Sequence, residues 1–121
     1  MNELKKNKNK IFFSSPVKLS SNHLLAIEGM EKSEIQKLIE RADYFANLDR
    51  HTNTKVLQGY VVLNVFFENS TRTRVSFELA ARRLGAEVIN ISLINSSIKK
   101  GESLLDTAST LNAMRPDLLI V

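Results

Sequence analysis

The chain has 121 residues, 43% of them hydrophobic, which suffices for the core of one domain and sets one domain as its ceiling. It contains no cysteine, which excludes disulfides and thiolate metal centres and is compatible with a reducing compartment. Four lysines against one glutamate in residues 1–10 supply +3 of the formal net charge of +4, so the basicity lies in a tail and not in a nucleic-acid-binding face.

Residues 1–22 are read as that tail, flexible and basic around Lys5, Lys6, Lys8, Lys10 and Pro16, with Ile11-Phe12-Phe13 as its one apolar cluster. Neither a secretory core nor an apolar run long enough for a bilayer follows, so the expectation is a soluble cytoplasmic chain with no membrane or nucleic-acid partner. From Ser33 the apolar spacing becomes helical. Ile35, Leu38, Ile39, Ala42 and Phe45 share one face, and Ser33 to Gln36 reads as a capping box. This first helix ends near Leu48, and the polar loop Asp49 to Thr54 follows. His51 in that loop and His23 before the helix lie too far apart in sequence to suggest a metal pair.

After Gly59 the run Tyr60 to Phe67 reads as a buried strand, and past Thr71 the pattern switches to a helix closed by Gly85 at its C′ position. Phe77, Ala80, Ala81 and Leu84 are its expected buried face. Val75 and Leu79 form a second stripe, which fits either a covering element or subunit or a wide core face. Glu87 to Ser92 alternates as a second strand. Asn95 to Gly101 is a polar loop, a third helix runs from Glu102 to before Pro116 with Leu104, Leu105, Ala108 and Leu111 inward, and Asp117 to Val121 is a third strand.

Strand, helix, strand, helix, strand after an initial helix predicts an α/β fold, a parallel sheet with helices on both faces. Ligands in such sheets bind beyond the carboxyl ends of the strands. The third strand closes the chain where a binding loop would begin, so the expectation is a fragment or truncated product of a longer two-domain protein, with residues 23–121 as an incomplete first domain.

The junction Glu68-Asn69-Ser70-Thr71-Arg72-Thr73-Arg74 carries the chemistry. A helix start leaves backbone N–H groups without partners and concentrates positive potential. Ser70, Thr71 and Thr73 add hydroxyl donors, and Arg72 adds a planar fork for two phosphate oxygens. Lys99 and Lys100 precede the third helix, the end where cations are least favourable. This fits either solvated lysines on a mobile loop partly neutralised by Glu102 or an anionic ligand for a flap for which Gly101 could serve as hinge.

Ser70-Thr71-Arg72-Thr73-Arg74 followed by Ser76-Phe77-Glu78, with Ser96-Ser97-Ile98-Lys99-Lys100-Gly101-Glu102 and Asp106-Thr107, resembles the carbamoyl-phosphate-binding half of the aspartate carbamoyltransferase family from about Leu24 to Val121. The resemblance implies transfer of a carbamoyl group from carbamoyl phosphate to the amino group of L-aspartate, a step of pyrimidine synthesis, without metal or organic cofactor. Ser70, Thr71, Arg72 and Thr73 would hold carbamoyl phosphate, with Arg72 and Thr73 also meeting the oxygen that gains charge. Lys100, and Ser97 or its neighbour Ser96, would reach an adjacent subunit's site in a homotrimer, with regulatory chains left open. Glu102 would support the loop, and Glu68 would take part in domain closure. The family also uses an arginine and a histidine just past the third strand and arginines of a second domain. The 121 residues hold none of these, so they are expected to be inactive alone. The alternatives are an ornithine-type carbamoyltransferase, against which the lysine pair argues, and a non-catalytic phosphate-binding or assembly fragment.

Overall fold

The structure, a computed structural model, describes residues 17–49, 51–52, 54–67, 70–93 and 103–121. The chain divides into two compact units, Met1–Arg50 and His51–Val121.

In the first unit helix α1 spans Lys32–Ala46. Its start is organised by Glu34, not by Ser33 and Gln36 as the sequence suggests. The backbone N–H of Glu31, the N-cap residue, donates to Glu34 Oε2 at 3.4 Å, and the preceding segment folds back so that Ser20 donates to the same carboxylate through its backbone N–H and, at 3.1 Å, through Oγ. Those donors favour the charged form, and the carboxyl titrates below its ordinary value chiefly because of the Ser20 backbone bond. A carboxylate at this end also meets the positive pole of the helix, which is why Glu34 tolerates burial.

The second unit is built on a three-stranded parallel sheet in the order β2–β1–β3, with β1 at Val61–Phe66, β2 at Glu87–Ser92 and β3 at Leu118–Ile120. Parallel neighbours require crossovers, and helix α2, Thr71–Arg83, and helix α3, Leu104–Ala113, supply them. Alternation along β1 sends Val62 to one face, with Ala81 of α2, Ala86, Val88 and Ile120. Leu63 and Val65 go to the other, with Leu111 of α3 and Leu93. The helices therefore lie on opposite faces, as expected from the element order.

Helix α2 ends as the glycine at C′ predicts. Gly85 stands at φ +89°, its N–H donates to Arg82 O at 3.0 Å, and the Ala86 N–H donates to Ala81 O at 3.1 Å, the paired bonds of a Schellman closure. The loop before β1 packs on the same end. Leu57 N–H reaches Leu84 O at 2.8 Å, and a Cβ on Gly85 would come within 3.0 Å of Lys55 Cα.

Two expected faces differ from the structure. Ala81 is the buried residue of α2, whereas Phe77 and Ala80 are exposed. On α3 Leu111 is buried, whereas Leu104, Leu105 and Ala108 are exposed. In both helices the apolar residues outnumber the positions that the narrow three-stranded sheet covers.

Candidate phosphate site at the carboxyl edge of the sheet

In the parallel sheet Phe66 of β1 pairs with Ser92 of β2, so the segments leaving both strands start side by side at the carboxyl edge. Helix α2 begins at that edge. Ser70 is its N-cap residue, and the Arg74 N–H closes the first helical turn onto Ser70 O at 3.1 Å. The Ser70 side chain makes no cap bond to the backbone. Its Oγ instead donates to Thr73 Oγ1 at 2.8 Å.

This choice leaves donors over. One hydrogen serves the bond between the two hydroxyls, so the other remains for an outside acceptor. The N–H groups of the first turn receive no capping oxygen from Ser70, and that turn contains no acidic residue. It contains Arg72 and Arg74 instead, at the end of the helix that repels cations. Arg74 faces Glu78, one turn on, where its charge helps to depress the carboxyl. Arg72 is exposed, and among the described residues no carboxylate pairs with it. The arrangement can hold a dianion, because N–H, O–H and guanidinium donors belong to one helical turn that, among the described residues, contains no acidic group.

Of the residues predicted to bind or act, Ser70, Thr71, Arg72 and Thr73 are brought together here. Glu68, Ser96, Ser97, Lys99, Lys100 and Glu102 lie outside the described residues. Helix α3 is capped by Ser103, whose Oγ accepts from the Asp106 N–H at 3.1 Å and donates to Asp106 Oδ2 at 2.6 Å. Its first helical residue is thus Leu104, two residues later than the Glu102 start that the sequence suggests. Among the described residues no group of three His, Cys, Asp or Glu side chains could hold a metal ion.

Behind the candidate site lies a polar chain that hydropathy alone does not announce. Asn64, wholly buried in the central strand, donates through Nδ2 to Asn90 Oδ1 of β2 at 3.0 Å. Asn90 Nδ2 donates to Glu78 Oε2 of α2 at 2.7 Å, and Glu78 Oε1 accepts from Arg82 Nε at 2.9 Å. The Arg82 bond first, then the Asn90 bond, lowers the Glu78 carboxyl below its ordinary value. The signal in the sequence is the asparagine that interrupts an otherwise apolar strand at Leu63-Asn64-Val65.

Residues 22–121 match the family described as aspartate/ornithine carbamoyltransferase, carbamoyl-P binding domain. Over 101 residues the chain is 57% identical to the aspartate carbamoyltransferase catalytic subunit of Rhodospirillum rubrum, covering 82% of this chain and 32% of that one. Among solved structures, aspartate transcarbamoylase from Trypanosoma cruzi in complex with carbamoyl phosphate superposes with a TM-score of 0.75 at 36% identity, covering 87% of this chain and 34% of that one. The catalytic subunit of M. jannaschii aspartate transcarbamoylase gives 0.72 at 38% identity, covering 82% and 33%. The chain thus spans about a third of the length of these relatives. By this match the chain belongs to the aspartate/ornithine carbamoyltransferase family, and the matched part is that family's carbamoyl-P binding domain.

Proposed function

We propose that this chain supplies the carbamoyl-phosphate half of an aspartate carbamoyltransferase, with residues 23–121 as the binding domain. The observation that carries the proposal is the start of α2, where Ser70 binds Thr73 and leaves the first-turn amides and Arg72 to an outside anion. In this reading Ser70, Thr71, Arg72 and Thr73 hold the phosphate. The amino nitrogen of aspartate forms a bond to the carbonyl carbon, the bond from that carbon to the phosphate oxygen breaks, the amine loses a proton, and carbamoyl aspartate and phosphate result. Arg72 and Thr73 stabilise the oxygen charge that grows during this transfer, an effect worth about 3 kcal/mol per preorganised donor.

The loop residues Lys100 and Ser97, or Ser96 beside it, complete a neighbouring subunit's site in a homotrimer, and the working compartment is the cytoplasm. The aspartate reading is favoured over ornithine because the relatives named above are aspartate enzymes. The test is calorimetric titration of the chain with carbamoyl phosphate. Wild type is expected to bind, and Arg72→Ala to bind at least about tenfold more weakly, since a charge-assisted hydrogen bond is worth about 1.5–3 kcal/mol. Equal affinities would remove Arg72 from the site.

A further inference from the structure

Glu78, Asn90 and Asn64 belong to three different elements, and the charge on Glu78 orders the other two. A carboxylate accepts and cannot donate, so the Asn90 amide turns its NH2 toward Glu78 at 2.7 Å. Its carbonyl then faces Asn64, whose NH2 must donate to it at 3.0 Å. Turning either amide over would set two acceptors against each other. The consequence is that Asn64 Oδ1 is directed away from this network, buried and, among the described residues, without a partner.

An apolar residue at position 64 would avoid that orphan, so the chain is not there for packing. The apolar contact under α2 is made by Ala81 with Val62 and Ala86, flanked by the partly buried Leu57, Val88 and Ile120, and apolar contact, being non-directional, resists sliding or turning only weakly. Directional bonds do resist it. Glu78 lies five residues beyond Thr73, about 7.5 Å along a rigid helix. A shift at Glu78 is therefore carried to the first turn.

We infer that the Glu78–Asn90–Asn64 chain is a positioning device, fixing the rotation and height of α2 on the sheet so that the first-turn donors of Thr71, Arg72 and Thr73 converge on one anion. The inference rests on the phosphate-site reading above and names Glu78 and Asn90 as its positioning residues.

The test uses inorganic phosphate as probe, with affinity read by calorimetry and the Thr71 to Thr73 amide signals read by NMR. Glu78→Ala removes a negative charge near the anion site, so electrostatics alone predicts tighter binding, and a purely structural role leaves the folded protein's affinity unchanged. Positioning predicts the opposite sign, a loss of about fivefold to tenfold with displaced amide signals, the size of a coupled-network effect. Asn90→Asp, which sets two carboxylates together, is expected to weaken binding similarly. Adding Glu78→Gln to it keeps the net charge of wild type and rebuilds the chain, since the side-chain amide then present on α2 can donate to the new carboxylate, which still accepts from Asn64. The swapped pair is expected to bind within about threefold of wild type. Unchanged or tighter binding by Glu78→Ala, or a swapped pair no better than Asn90→Asp, overturns the inference while leaving the phosphate site standing. A wild-type chain that ignores phosphate overturns the site reading and this inference together.

Discussion

A carboxamide oxygen sealed in a protein interior without a donor costs about 1–3 kcal/mol, while a typical hydrogen bond contributes about 0.5–1.5. Asn64 carries both, a bond to Asn90 and an Oδ1 with no donor among the described residues. Asn64→Val removes both and places a β-branched residue in a central strand, where it packs well. The Asn90 oxygen freed by the change is on an exposed residue and finds water. The expected outcome is a chain stabilised by up to about 1 kcal/mol, seen as a higher melting midpoint. Asn64→Asp reverses the sign, because its carboxylate would be buried against the Asn90 oxygen, and a loss of about 3 kcal/mol or more in denaturant titration is expected. A strand position that gains stability on losing its polar group is held by something other than stability, which is the logic of the positioning role.

The ends of α2 were legible in the sequence because they depend on local chemistry. The starts of α1 and α3 were not, Glu34 and Ser103 taking the places expected for Ser33 with Gln36 and for Glu102. The limits of α2 follow from Thr71 and Gly85, and its closure from a glycine at positive φ. Gly85→Ala is expected to destabilise by about 1–3 kcal/mol, since an L side chain would occupy a left-handed conformation and meet Lys55 Cα at 3.0 Å. Ser103→Ala is expected to cost about 1 kcal/mol through loss of the cap to Asp106, measurable as a lower midpoint without loss of fold. Helix faces were less legible. Periodicity shows that Phe77, Ala80, Ala81 and Leu84 are neighbours, but not which part of a broad apolar arc lies over the sheet, and Ala81 with Glu78 takes that place. The candidate site divides along the same line. Ser70, Thr71, Arg72 and Thr73 are contiguous and recognisable as a motif, whereas Asn64, Glu78 and Asn90 meet only through strand register and a crossover, with separations of 26 and 12 positions for the bonded pairs.

The two units of the molecule each rest part of their order on one carboxylate that prefers to be charged, which makes their acid response separable. Glu34 in Met1–Arg50 is held below the ordinary value of 4.5 chiefly by the Ser20 backbone N–H, and Glu78 in His51–Val121 chiefly by Arg82 and then Asn90. A carboxyl whose folded pKa is depressed binds its proton more readily when unfolded. Its contribution is therefore fully present well above 4.5 and is lost as pH falls through 4.5 toward the lower folded value. Both groups push the same way, so stability should be flat near neutrality and decline below that point. Glu34→Gln cannot lose a charge on acidification, and its Nε2 would face the Ser20 donor. The variant should be less stable at pH 7 and show a shallower acid decline confined to amides of the first unit. Glu78→Gln should do the same for the second unit alone. Hydrogen exchange measured residue by residue between about pH 7 and pH 3 distinguishes the two, and an acid response of both units altered equally by either substitution would mean that the carboxylates do not act locally.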